Sequence, residues 1–177
     1  MERIFIVGYM GSGKTTVGKR LAKSLSLDFI DLDAYIQAKY RRTIPQLFEE
    51  RGEDGFRQAE RQSLQEVAEF ENVVVSTGGG APCFFDNMEL MNKVGTTIYL
   101  QAEPEELADR LSASKTVRPL IAGKSRKELV PFIREHLARR ERYYLMARIV
   151  YHTGRVITKQ DIHLTVSGLE NELKNKE

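Results

Sequence analysis

Residues 8 to 15, Gly8-Tyr9-Met10-Gly11-Ser12-Gly13-Lys14-Thr15, spell the pattern GxxxxGK[ST]. Its glycines leave the backbone bare, so that N–H groups can close around a phosphate that side chains would hold at a distance. Lys14 supplies a cation for the terminal phosphates, and the Thr15 hydroxyl an oxygen for Mg²⁺. The pattern predicts binding of a nucleoside triphosphate, with Gly11, Ser12, Gly13, Lys14, Thr15 and Thr16 as the contact residues. Further along, Asp31 and Asp33 close the run Asp28-Phe29-Ile30-Asp31-Leu32-Asp33. On an extended segment they are expected to face opposite sides unless the strand has ended, one carboxylate toward Mg²⁺ and the other toward an acceptor hydroxyl. Arg57 and Glu60 stand three apart, a helical spacing that lets the carboxylate orient the guanidinium. Gly78-Gly79-Gly80 offers backbone amides without side chains, suited to close approach of a polar substrate. Arg118, in Arg118-Pro119-Leu120, is a charge on a segment able to swing over a nucleotide. Arg140, four residues before Tyr144, can present a second guanidinium to an anion.

These residues need elements to hold them. Ile4-Phe5-Ile6-Val7 reads as a buried strand, and Val17, Leu21, Ala22 and Leu25 share one face of a helix. The glycine-rich loop therefore lies between strand and helix, where the helix dipole adds positive potential at the phosphate. A short strand is expected at 28–33. Helices are expected at 34–39, 44–51 and 54–70, with Thr43 as a cap and Pro45 in the first turn of the middle one. Residues 72–77, with Val73-Val74-Val75, form the clearest buried strand. Asp86 can cap a helix through Met91, 96–100 is a strand, and Pro104 begins a helix to Leu111. Residues 112–124 read as a mobile loop. Ser125 caps a long helix in which Pro131 must lie near the N-terminus or cause a kink. Ile149-Val150-Tyr151 and Ile157 supply the last strand region, Ile162 to Lys174 the closing helix, and the final residues fray. Strands alternate with helices, which implies an α/β fold with a parallel sheet covered on both faces.

A chain of 177 residues suits one such domain, and 41% hydrophobic with 29% charged residues is ordinary for a globular protein. The net charge of +2 is uninformative about partners, and clusters such as Arg41-Arg42 and Arg139-Arg140 are too short to track nucleic acid. No run approaches the ~18 apolar residues of a membrane span. The chain enters its first strand at once, so no export signal is expected. Cys83, the single cysteine, excludes an intramolecular disulfide, fits a reducing cytoplasm, and reads as a small half-buried apolar residue. A GTPase would carry NKxD; Asn92-Lys93-Val94-Gly95 lacks its acidic residue, and a large ATPase needs more chain. A small-molecule kinase needs an acceptor pocket beside the γ-phosphate, a cover against water, and positive charge for the transferring group.

Taken together, the residues resemble the shikimate kinase family. The match is dense and in order: GYMGSGKTTVG at 8–18, DFIDLD at 28–33, FRQAE at 56–60, STGGGA at 76–81, the lid Arg118-Pro119-Leu120, and Arg140 before Tyr144. The resemblance covers nearly the whole chain. It implies a three-layer α/β/α P-loop NTPase fold with a five-stranded parallel sheet, one domain over 1–177, a substrate-binding helical subdomain at 34–60 and a lid at 112–124. The implied activity is transfer of the γ-phosphoryl group of ATP to the 3-hydroxyl of shikimate, a step toward chorismate and the aromatic amino acids. Thr15 and, through water, Asp31 would hold Mg²⁺, and Lys14 would bridge the phosphates. Asp33 would orient the attacking hydroxyl; an unperturbed carboxylate pKa near ~4 keeps it ionised. Arg57 and Arg140 would hold the substrate carboxylate, Glu60 would position Arg57, and Gly78, Gly79 and Gly80 would lend backbone contacts. Arg118 would close onto the phosphates, Arg110 would lie near the adenine, and Phe48 and Phe56 would wall the pocket.

One departure stands out. Many members carry Arg-x-Pro-Leu-Tyr where this chain has Arg140-Glu141-Arg142-Tyr143-Tyr144, which makes Arg139 and Arg142 rivals of Arg140. The segment Gly154-Arg155-Val156 is weakly patterned. Competing readings are another small-molecule kinase, such as one for gluconate, and a non-catalytic nucleotide-binding module. The first would not be expected to carry FRxxE together with the glycine triplet, and the second would lack Lys14, Asp33 or Arg118. A cytoplasmic monomer without nucleic-acid or membrane partners is the expectation.

Overall fold

The structure is a computed structural model, and it describes residues 2–116, 118–154 and 158–176. Five strands, β1 (Arg3–Val7), β2 (Asp28–Asp31), β3 (Val73–Ser76), β4 (Thr96–Gln101) and β5 (Ile149–His152), form one parallel sheet in the order β2-β3-β1-β4-β5. The helices are α1 (Lys14–Leu25), α2 (Leu32–Tyr40), α3 (Ile44–Val67), α4 (Asn87–Val94), α5 (Pro104–Ala113), α6 (Arg126–Tyr144) and α7 (Lys159–Lys174).

Alternation along the strands builds three layers. Phe5, Val7, Val73, Val75 and Tyr99 point to one face, where they pack with residues of α2, α3, α4, α5 and α6. Ile4, Ile6, Val74, Ile98 and Leu100 point to the other, against Val17 and Leu21 of α1 and Val166 and Leu169 of α7. Both faces are buried, as a parallel sheet requires. The chain leaves β1 toward β3 and β2 on one side and later fills β4 and β5 on the other. The crevice beyond the carboxyl end of β1 is therefore the switch point at which such folds bind ligands.

Several boundaries follow from local chemistry. Thr43 and Gln46 form a reciprocal capping box at α3, as Ser125 and Glu128 do at α6 and Thr158 and Asp161 at α7. The expected helices at 44–51 and 54–70 are both present: α3 consists of two helical runs that meet at Gly52, whose φ of 68° and ψ of 179° are not helical, and the second run ends at Val67. Asp86 precedes α4, but its side chain makes no cap; the carboxylate pairs with Arg61 instead. Pro131 falls in the second turn of α6, near the N-terminus as one of its two expected placements. Residues 119–121 form a 3₁₀ turn inside the 112–124 stretch. Ile157, expected near the last strand, lies outside the described residues. Among those described, no helix is long and apolar enough to cross a membrane.

Candidate active site

A cleft of about 550 Å³ opens at the carboxyl edge of the sheet. The loop after β1 supplies Met10, Gly11 and Gly13 to its wall and the first turn of α1 supplies Lys14, Thr15 and Thr16, while Asp31, Asp33, Gly78, Gly79, Arg110 and Arg118 also line it. Gly13 adopts φ 93° as the residue that starts α1, a left-handed conformation that glycine takes without strain. Lys14 is nearly buried and lies along its own loop, donating to the carbonyls of Gly8 at 2.8 Å and Tyr9 at 2.9 Å. Burial pushes its pKa down to about 8, opposed by the nearby Asp33. The Ser12 N–H donates to the Tyr9 carbonyl at 3.2 Å, and its hydroxyl is buried without a partner among the described residues.

The two aspartates separate for a reason the extended reading of 28–33 does not contain. On a continued strand, residues two apart would share a face. Here β2 stops at Asp31, which becomes the N-cap of α2: Oδ1 accepts from the Ala34 N–H at 3.0 Å. Its Oδ2 accepts from the Thr15 hydroxyl at 3.0 Å. Asp33 lies in the first turn of α2, beside Gly78: a Cβ on that glycine would stand 3.0 Å from Asp33 Oδ1. Nor is Asp33 an unperturbed carboxylate, as its sequence context suggested. Burial first and Asp31 second push its pKa up, while Lys14, Arg57 and Arg118 oppose the rise.

The glycine triplet sets three charged side chains against one segment. Gly78 abuts Asp33, a Cβ on Gly79 would stand 3.3 Å from Arg140 Nη1, and one on Gly80 would stand 2.6 Å from Arg57 Nη2. Arg57 donates to Glu60 Oε1 at 2.9 Å and lies over the Phe84 ring, 4.2 Å from its centroid. Phe48 and Phe56 stack with centroids 4.3 Å apart, and the guanidinium lies over both. Glu60 is 1% exposed, and burial pushes its pKa up to about 7 against the pull of Arg57. Phe84 carries no motif signal beyond the unusual Cys83-Phe84-Phe85 run after the triplet, and the sequence reading passes over it.

Among the three rival arginines, Arg140 stands beside the triplet. Arg139 pairs with Glu135 at 2.5 Å on the surface, and Arg142 stacks on Tyr143 and donates to its hydroxyl at 2.8 Å. Tyr144 donates to the Gly79 carbonyl at 2.5 Å, which pins the end of α6 to the triplet. Arg110 lines the cleft and donates to the Gly11 carbonyl at 3.2 Å and the Gly154 carbonyl at 2.7 Å. The Arg118 Nε is buried without a hydrogen-bond partner among the described residues. Arg155 and Val156 lie outside those residues. Ile162 of α7 joins the cleft wall with nothing in the sequence to mark it.

The Thr15 hydroxyl and Asp31 carboxylate are adjacent hard oxygen donors at the cleft. That small set fits Mg²⁺, which keeps waters and phosphate oxygens among its ligands. Among the described residues there is no group of three or more His, Cys, Asp or Glu side chains that could hold a metal by themselves.

The family model for shikimate kinase matches residues 10–169. A shikimate kinase from Parabacteroides distasonis is 55% identical over 163 residues, which are 92% of this chain and 94% of that one. The crystal structure of shikimate kinase from Bacteroides thetaiotaomicron superposes with a TM-score of 0.94 at 48% identity, covering 98% of each chain. That of the Acinetobacter baumannii shikimate kinase, in complex with shikimate, superposes with a TM-score of 0.83 at 34% identity over 99% of this chain and 95% of that one. The fold is that of a P-loop NTPase, and the chain belongs to the shikimate kinase family.

Proposed function

We propose that the chain transfers the γ-phosphoryl group of ATP to the 3-hydroxyl of shikimate, giving shikimate 3-phosphate and ADP. The observation that carries this reading is the meeting of Asp33, Arg57 and Arg140 on one glycine triplet, of which Gly78 and Gly79 line the cleft together with the phosphate loop. Two guanidiniums match a carboxylate and one carboxylate matches hydroxyls, the complement of an anionic polyol.

In this reading Lys14 leaves the loop carbonyls to bridge the β- and γ-phosphates, and Arg118 closes over them with the 112–124 lid. Thr15 and Asp31 would hold Mg²⁺, which would supply positive charge to the phosphates. Arg57 and Arg140 fix the shikimate carboxylate, Glu60 and Phe84 keep the Arg57 plane, and residues 34–60 form the helical part that receives the acceptor. Asp33 accepts the hydrogen bond of the attacking hydroxyl. Its raised proton affinity suits the late transfer of that proton in a loose transition state. A single kinase domain over 1–177, acting as a cytoplasmic monomer, completes the reading.

The test is ADP release from ATP and Mg²⁺ with shikimate, gluconate or CMP as acceptor. Stimulation by shikimate alone is expected. ATP binding without turnover on shikimate would overturn the acceptor assignment and leave the phosphate loop standing.

A further inference from the structure

Tyr9 belongs to the phosphate loop and is 1% exposed, yet its two ends serve different parts of the molecule. Its carbonyl accepts from Lys14 Nζ and from the Ser12 N–H, so its backbone is part of the loop frame. Its side chain runs into α6, where the hydroxyl lies 2.9 Å from His136 Nδ1. The two rings meet edge to face, with centroids 5.5 Å apart and an interplanar angle of 86°. His136 precedes Arg140 by four residues, so both side chains lie on one face of α6. Phe132, one turn earlier on that face, has its ring 5.6 Å from His136. Arg140 stands beside Gly79, whose flank is the Gly8 carbonyl and the Met10 N–H of the phosphate loop.

We propose that Tyr9 and His136 are a positioning pair that sets the Arg140 guanidinium, and with it the shikimate carboxylate, against the phosphate loop. This rests on the reading given under Proposed function. Neither side chain touches a reacting group; both act through the placement of α6. In the proposed pair the Tyr9 hydroxyl donates to Nδ1, which requires the imidazole hydrogen to sit on Nε2. Burial, and then the charges of Arg140 and Arg139, push the His136 pKa down, which keeps the acceptor available at neutral pH. Burial pushes the Tyr9 pKa up to about 12, which keeps the donor protonated. Loss of His136 leaves the hydroxyl of the 1% exposed Tyr9 without its partner, and loss of Tyr9 frees the half-buried imidazole on the helix that carries Arg140.

The test compares Tyr9→Phe, His136→Leu, the double variant and His136→Asn, whose Oδ1 can stand where Nδ1 stood. Each single loss is expected to raise the shikimate KM about fivefold while the ATP KM changes less than about twofold, the scale of one neutral hydrogen bond. The double variant is expected to be no worse than either single one, and His136→Asn to recover most of the loss. Unchanged shikimate KM in the single variants, a parallel rise in both KM values, or additive effects would each overturn the pairing. Absence of shikimate turnover in the unaltered chain would overturn the functional reading first, and this inference with it.

Discussion

The phosphate-binding side of the cleft comes largely from one unbroken stretch, Gly8 to Thr16. The acceptor side draws Asp33 from α2, Arg57 from α3, Gly78 to Gly80 from the end of β3, and Arg140 from α6. A contiguous loop needs only its strand and its helix to keep its shape. The acceptor side exists only while four elements stay packed, and the three glycines are its spacers, each admitting one charged side chain to a distance a Cβ would forbid or crowd. Binding of nucleotide and binding of acceptor should therefore fail separately.

The largest break in that comparison should come from the acceptor side itself. Asp33→Asn and Arg57→Ala are expected to lower turnover by about 10²–10⁴-fold, the range of a lost proton acceptor or orienting group. ATP affinity, read by titration calorimetry, should stay nearly intact in both; a strong loss would join the two sides again. Next in size is Gly80→Ala, whose methyl would meet the guanidinium of an arginine already held by Glu60 and Phe84. It is expected to raise the shikimate KM roughly tenfold, for an overpacking cost of ~1–2 kcal/mol, with the ATP KM unchanged.

Two smaller predictions concern protons. Glu60 has a pKa of about 7 in the fold against 4.5 as its ordinary value, so between those values the folded chain holds more protons than the unfolded one. Stability must then fall as pH rises through that window, and the contribution is fully present below it. Urea midpoints of Glu60→Gln should lack this downward slope; an unaltered slope would show that Glu60 is not its source. On the other side, Lys14 titrates near 8 because of burial. Phosphates favour its charged form, so ATP binding above about pH 8 should take up a fraction of a proton. Calorimetry in buffers of different ionisation enthalpy measures this, and Lys14→Met should abolish it.

The same contrast explains what the sequence makes legible. The phosphate loop is a local pattern between two local periodicities, so both the motif and its place at the switch point can be read directly. The break between the helical runs at 44–51 and 54–70 is legible in the same way, and the structure places it at Gly52, whose backbone is not helical. The turn at Asp31 is hidden because Ile30 and Leu32 continue an alternating pattern, and the decisive event is a cap on the Ala34 N–H. Arg140 was distinguishable by its spacing to Tyr144, and the structure adds the reason: Tyr144 anchors to Gly79. Phe84 and the Tyr9–His136 pair leave no signature, since contacts between residues as far apart as 127 positions depend on packing alone.

Gly52 has a consequence of its own. A Cβ added there would meet no heavy atom within 4 Å, so space does not explain the glycine. Its φ of 68° with ψ of 179° lies in a region that L-residues avoid, at a cost of about 1–3 kcal/mol. The obstacle to every other genetically encoded residue is handedness. In the mirror-image sense these torsions are ordinary extended backbone, so a D-alanine placed at 52 by chemical ligation is expected to melt at a higher temperature than its L-counterpart. At this turn the chain selects for stereochemistry rather than for size.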